Sequence, residues 1–454
     1  MPANDSIEAA LARFASEHKP EGVAVSATAH VKRLLIDAIG CALIGERARE
    51  MDGIRRAALS TFGPGESSVI GRRETLSVAG ATMVNSYLVT AMTVCDVYRP
   101  AHCHMTPLVV PPALAAAETA STSGADFLTA VTLGMEVMAR VAKGLDYPAF
   151  RARGWHSPGV IGPLGAAAAV GRIDGHDEAT IRNAFGLAAS QAGGSYLSWG
   201  TPAVKFHQAR GAVSGLLASR LAAEGFPAGR YPLTAPDGGI YNTHSNGGRP
   251  EAVVEGLGDL WELEQISLRL WPGASPVQAM LTGLFDLIES EELTVPQVEA
   301  VEIGISSEDF GTHGGFSQPT NTFEALLSYT FLCSVALHQG QVWFEHVEEP
   351  LLSDPTVHSF ADGRVKVRED RSLPVNGCAI TVTTTDGRTF QRRVESSRGT
   401  PENPANAEEV EAKFHRCADG FLGRAGAVGM LAMLNQIEEV TDMAELCQML
   451  KARR

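Results

Sequence analysis

The stretch "RARGWHSPGVIGPLGAAAAVGRIDG", residues 151–175, decides how the chain is read. Its run GPLGAAAAVG carries almost no side-chain volume. Such a run is either a helix packed backbone against backbone or a glycine loop around a phosphate. A phosphate loop needs a Lys-Ser/Thr ending, or GxGxxG directly after a strand. This run has neither, and the upstream RARGWHSPG is no strand. A tightly packed, buried helix is the better account, because small residues let helix backbones approach closely. His156 then stands just ahead of a helix N-terminus, where amide N–H groups favour an anion. That place suits contact with a carboxylate; a satisfied core histidine is the alternative.

Outward from this run, residues 5 to about 225 read as helices. "HVKRLLIDAIGCALIG" repeats apolar residues at helical spacing, with Gly45 as its stop. "TLSVAGATMVNSYLVTAMTV", "VVPPALAAAETA", "GADFLTAVTLGMEVMARVAKGL", "TIRNAFGLAASQAGG" and "GAVSGLLASRLAAEGF" follow. Several are apolar or small on nearly every face, which places them inside a helical domain or at a subunit contact. Strand-like alternation is absent there. After about residue 260 the texture changes. "VEAVEIGISSE" and "GCAITVTTTDGRTFQRRV" alternate like strands, the second with an Asp-Gly hairpin signal. Between them "QAMLTGLFDLIESEE" and "FEALLSYTFLCSVALHQG" read as helices. "GTPENPANAEEVEAKFHRCA" returns to helices that pack back on the first domain.

At 454 residues the chain is too long for one ordinary core, so two domains are expected. Net charge is −15, which argues against nucleic acid or an anionic membrane as partner. An anionic substrate therefore needs a local cluster of Arg and Lys. The seven cysteines are scattered and contain no CxxC pair, as expected for reduced thiols in a cytoplasmic protein. "MPANDSIEAALARFASEHK" reads as a short amphipathic helix without the apolar core of a signal peptide. No uninterrupted apolar run reaches spanning length.

Two further polar clusters stand out. In "TVCDVYRPAHCHMTPLVVPPALA", Asp96, Tyr98, Arg99, His102 and His104 fall between two apolar helices. A polar loop held by buried helices is where a helical domain exposes catalytic groups. His-x-His with Cys95, Cys103 and Asp96 supplies metal-ligand types, but the spacing matches no standard zinc pattern. Acid/base chemistry is the better account. "GTPAVKFHQARGAVSG" places Lys205, His207 and Arg210 at the start of a helix, either as an anion clamp or as a solvated basic turn.

The chain resembles the MmgE/PrpD family, which includes 2-methylcitrate dehydratase, cis-aconitate decarboxylase and iminodisuccinate epimerase. "LLIDAIGCALIG", "GWHSPGVIGPLGAAAAVGRIDG", "AFGLAASQAGG" and "SGLLASRLAAEGF" recur in the family's order, over nearly the whole chain. The resemblance implies a mainly α fold: a large all-helical domain (1–262), an inserted smaller α+β lid domain (263–402) and C-terminal helices (403–454) returning to the first. It also implies a homodimer with no organic cofactor, acting on a small carboxylate.

Residue by residue, His156 in GWH matches the family's second active-site histidine. His104 matches the histidine of a segment like HPSGAVLPALLA, with one extra residue before it. Asp96 matches the second Asp of a DDT motif. Lys205 is close to the family lysine, one residue short of the usual spacing to His207. Tyr147 and Arg151 resemble a substrate-holding Tyr-x-x-x-Arg pair of the epimerases. Thr93 and Val97 stand where the lyases carry Asp and Thr. In "LRLWPGASPVQA", Arg269 replaces the family lysine and Gln278 its histidine, and Phe331 aligns with a family tyrosine. The roles so implied are His104, His156, Lys205, Tyr147 and Asp96 in catalysis, with Arg151, Arg269, His207 and Arg210 on substrate. The leading expectation is a dehydratase or decarboxylase of a di- or tricarboxylate. An epimerase of an amino- or iminodicarboxylate comes second, and a degenerate binding protein third.

Overall fold

The structure, a computed structural model, describes residues 6–451. The chain divides into two compact units, residues 1–267 with 407–454, and residues 268–406. The first is built from helices. Its opening helix runs Ile7–Glu17, capped by the Ser6 hydroxyl, which accepts from the Ala9 amide; residues 1–5 of the expected N-terminal helix lie outside the described residues.

The decisive run is helix Ser157–Ile173, and Ala166 to Val170 are fully buried within it. Its glycines are there for space. A Cβ on Gly162 would come within 2.4 Å of Leu108 Cδ2, and one on Gly165 within 2.7 Å of Met138 Cβ and 2.9 Å of Gly134 O. From the facing helix Gly124–Lys143, a Cβ on Gly134 would meet Ala169 at 2.7 Å; from helix Ala203–Ala223, one on Gly215 would meet Ala166 at 2.4 Å. Three helices thus meet at backbone distance along one run. Exposed helical Gly→Ala changes usually stabilise by about 1 kcal/mol. Here the sign reverses: Gly165→Ala is expected to lower unfolding free energy by about 2 kcal/mol, an overpacking cost, read from urea midpoints. An unchanged or raised midpoint would mean the helices are not in backbone contact.

Gly45 ends its helix, as expected. It closes helix Val25–Gly45 without a left-handed turn, Glu46 following in ordinary helical conformation. Its reason is packing, since a Cβ would lie 2.2 Å from Leu88 O. The all-helical expectation is corrected in detail. Strand Pro64–Ser68 pairs with Thr75–Leu76, and Val97–Tyr98 pairs antiparallel with Ile266–Ser267. Thr75–Leu76, Val97–Tyr98 and Ile266–Ser267 are two residues each, too short to leave an alternation in sequence.

Helix Gly124–Lys143 carries a fully buried ion pair, Glu136 with Arg140. Arg140 also donates to the carbonyls of Val253, Glu255, Gly256 and Leu260, and Glu136 accepts from the amides of Glu262 and Leu263. This pair fastens the irregular segment 253–263, whose backbone groups would otherwise be buried without partners.

The second unit holds a four-stranded sheet in the order Val365–Glu369, Val298–Ile305, Cys378–Thr384, Thr389–Val394. The first pair is parallel and the others antiparallel, with Asp386-Gly387 in the final hairpin. Val301, Ile303 and Ile380 face Met280, Leu284 and Phe331 in one core. The helix read through "FEALLSYTFLCSVALHQG" is broken in two, Thr322–Ala325 and Tyr329–Gln339, because the Ser328 hydroxyl caps the second by accepting from the Phe331 amide. Helix Ala407–Asn435, in the first unit, is long and apolar enough on average to cross a membrane. It is interrupted by a left-handed Gly423 and buries Lys413, Phe414 and Cys417.

Candidate active site

The second polar cluster forms a loop between helices Val78–Ala91 and Thr106–Ala120. Two of its non-glycine residues, Thr93 and His102, have left-handed φ values of 57° and 43°. Such conformations are costly and persist only where the surroundings fix them. Asp96 is one fixing point. Its fully buried carboxylate accepts from the Met105 amide at 2.7 Å and from the Thr106 amide and hydroxyl, so it holds the start of helix Thr106–Ala120. Burial raises its pKa to about 6, and the Thr106 and Met105 hydrogen bonds oppose the rise. The Asp96 carboxylate thus caps the start of this helix. It is the Asp96 main-chain carbonyl that orients a histidine, lying 2.6 Å from His104 Nδ1. A carbonyl can only accept, so His104 carries a proton on Nδ1.

His156 sits one residue ahead of helix Ser157–Ile173, as the sequence suggests, but its ring makes no cap bond. Its amide donates to Gly194 O at 2.9 Å, and its Nδ1 lies 3.0 Å from His207 Nδ1. Two imidazole nitrogens at that distance share one proton; a second would set two N–H groups against each other. Burial lowers the His156 pKa well below the ordinary range, and His207, His104 and Arg151 reinforce this by repelling its charge. Burial, then Arg210, lowers that of His207. Both imidazoles are neutral near pH 7.

Arg151 and Tyr147 lie one turn apart on the short helix Tyr147–Ala152. The Tyr147 ring stacks on His102 with centroids 5.1 Å apart. The Arg151 guanidinium lies 3.3 Å from the centroid of Tyr196, and Tyr196 meets His156 edge to face at 5.9 Å. Tyr196 thus joins the cation to the imidazole pair, and the sequence reading had no reason to select it. Gly194 is equally silent in sequence: it adopts φ 148°, and a Cβ there would press on His207 Nδ1 at 3.1 Å.

Other expected residues have different surroundings. Lys205 donates to the carbonyl of Ala91, at the end of helix Val78–Ala91. The Arg210 guanidinium donates to the carbonyls of Gln191 and Gly193, in the loop that leads to Gly194. His207 faces His156. Arg269 belongs to the second unit, is buried and donates to Gly273 O at 3.1 Å. Gln278, also there, is occupied by both backbone groups of Trp271. Among the described residues, no three His, Cys, Asp or Glu side chains are placed to hold a metal ion.

His104, His156, His207 and Arg151 therefore share one electrostatic neighbourhood in the first unit, a set suited to moving protons beside a bound anion. The chain belongs to the MmgE/PrpD family: residues 9–252 match its N-terminal domain and residues 271–434 its C-terminal domain. It is similar to the "Cis-aconitate decarboxylase-like protein oryM" of Aspergillus oryzae, 26% identical over 441 residues, 92% of this chain and 91% of that protein. It is also 25% identical to a cis-aconitate decarboxylase of Aspergillus terreus, over 92% of this chain and 90% of the relative. The mouse cis-aconitate decarboxylase is 25% identical over 87% of this chain and 83% of its own length.

Proposed function

We propose that this chain is a lyase, a decarboxylase or dehydratase of a di- or tricarboxylate, working through a carbanion beside a carboxylate. The observation that carries the reading is the convergence of three imidazoles and Arg151, with His156 held neutral. The names of the full-length relatives agree with it. The carbanion forms in one of two ways. A base removes the adjacent proton and hydroxide departs with a proton from an acid, giving an alkene and water. Otherwise a carboxylate leaves as carbon dioxide and a proton is delivered to the carbon. In both, charge builds on the remaining carboxylate, where prepositioned cations stabilise it. In this reading Arg151 and Lys205 bind carboxylates, His104 Nε2 takes the proton, and the His156–His207 pair supplies a donor. The protein's own side chains carry these steps, with no organic cofactor.

The test is a panel of di- and tricarboxylates, cis-aconitate included, assayed for carbon dioxide release and for alkene absorbance. Release of either supports the lyase; neither, on any member, removes it. An epimerase is the second reading, favoured by Tyr147 and Arg151 one turn apart beside His102. Inversion at the carbon with no new product would select it.

The pH dependence follows from the neutral pair. An ordinary imidazole becomes charged below about pH 6.5. With the folded pKa depressed, His156 stays unprotonated as pH falls through that value, so its contribution to kcat/KM persists to lower pH. The same shift makes stability fully present above about pH 6.5 and decline as pH falls, because the unfolded chain then takes up the proton first. Urea midpoints at stepped pH should fall less steeply for His156→Gln than for the wild type. Equal slopes would contradict the assigned neutrality.

A further inference from the structure

Helix Ala407–Asn435 brings one charged side chain into the interior of the first unit. Lys413 is 5% exposed, and its ammonium donates to Asp37 Oδ1 and, at 2.7 Å, to the Val94 carbonyl. Asp37, on helix Val25–Gly45, accepts from the Cys41 thiol through its other oxygen at 3.6 Å. Burial pulls the lysine's pKa down, but Asp37, with Cys41 and Cys417, more than reverses this, so the pKa ends raised and the ammonium is charged. A buried ion pair is weak evidence of a gain in stability, since apolar replacements often do as well. What distinguishes this pair is where its third contact falls.

Val94 O lies two residues before the carbonyl that orients His104. Between them the backbone has little slack. Thr93 is left-handed, and the Asp96 carboxylate is tied to the amides of Met105 and Thr106. The Cys95 thiol lies 3.8 Å from His104 Nδ1. The Val94 peptide is held from one side by Lys413, and the Asp96 side chain from the other by the start of helix Thr106–Ala120.

We propose that Lys413 is a positioning residue for His104: by fixing the Val94 carbonyl, it aims the Asp96 carbonyl that keeps the His104 proton on Nδ1. Asp37 holds the ammonium in place. The inference rests on the proton-transfer role proposed for His104, and its test includes a readout independent of that role.

The test compares two double variants. Lys413→Met with Asp37→Leu removes both buried charges together, which avoids leaving one unpaired, and leaves Val94 O without its donor. Lys413→Gln with Asp37→Asn is neutral but retains an amide donor for Val94. Nitrogen-15 histidine spectra, with His104 assigned by its loss in His104→Gln, report the tautomer directly. The wild type and the Gln/Asn variant are expected to show His104 protonated on Nδ1, and the Met/Leu variant a mixture of tautomers. On the substrate the wild type turns over, kcat of Met/Leu is expected to fall about tenfold, on the scale that small misplacements cost, with KM within about twofold. A Met/Leu variant that folds with the wild-type His104 spectrum overturns the proposal. If Met/Leu does not fold, a Gln/Asn variant that folds with an Nε2-protonated His104 overturns it as well. A tautomer change in a protein inactive on every carboxylate would leave the positioning role intact and count against the lyase reading instead.

Discussion

Exchanging His104 for Gln is expected to lower kcat by about a thousandfold, within the range that a positioned acid or base contributes. The expectation follows from one contact. His104 Nδ1 donates to the Asp96 carbonyl at 2.6 Å, which directs the lone pair of Nε2 away from that carbonyl. A glutamine amide can imitate the shape and the donor, but it has no nitrogen able to accept a proton near neutral pH. KM should change far less than kcat if the residue acts on the transition state alone. A His104→Gln protein with wild-type stability and turnover within about threefold would remove His104 from the chemistry, since such a loss is well below the usual acid/base contribution.

Arg140→Met is expected to be the most damaging change to stability, costing about 3–5 kcal/mol, the penalty for breaking a buried pair from one side. The substitution leaves the Glu136 carboxylate buried without its cation and four carbonyls between Val253 and Leu260 without their donor. The effect reaches the site through Glu262, which accepts from the Tyr98 hydroxyl at 2.8 Å, and through Ile266, which pairs with Tyr98. Urea unfolding of Arg140→Met, beside Arg140→Met with Glu136→Leu, separates unpaired charge from lost packing. The double variant should recover part of the loss, and a single variant within about 1 kcal/mol of wild type would contradict the role of the pair, since even a typical single substitution costs that much.

How far the sequence reveals this protein depends on the range of the interaction that fixes each part. Helix Ser157–Ile173 is legible because the absence of side chains in GPLGAAAAVG has one sensible use, which the glycine contacts bear out. The hairpin at Asp386-Gly387 is legible because turn chemistry is local. His104 and His156 draw attention as polar residues interrupting apolar helices. What they touch is not local. His207 meets His156 across 51 residues, and no pattern near either announces a shared proton. Tyr196 follows a stretch with no regular periodicity and gains its place only from Arg151 and His156. Asp96 reads in sequence as a residue that supports catalysis, and the amides of Met105 and Thr106 that its carboxylate accepts from belong to a helix start that the motif does not mark. Arg210 meets the carbonyls of Gln191 and Gly193, contacts that its sequence neighbours do not mark either. The left-handed Thr93 and His102 oppose local preference, and only the folded surroundings hold them.

The most direct measurement is solvent exchange at the carbon beside the substrate's carboxylate. Wild type and His104→Gln are incubated in deuterated water with the most reactive member of the carboxylate panel, and deuterium at that carbon is followed by NMR and mass spectrometry. The account predicts deuterium in the substrate or the product with the wild type, and a rate about a thousandfold lower with the variant. Release of carbon dioxide without deuterium at that carbon, loss of water with neither exchange in the substrate nor a slowing on deuterating that carbon, or equal rates for both proteins, would contradict it.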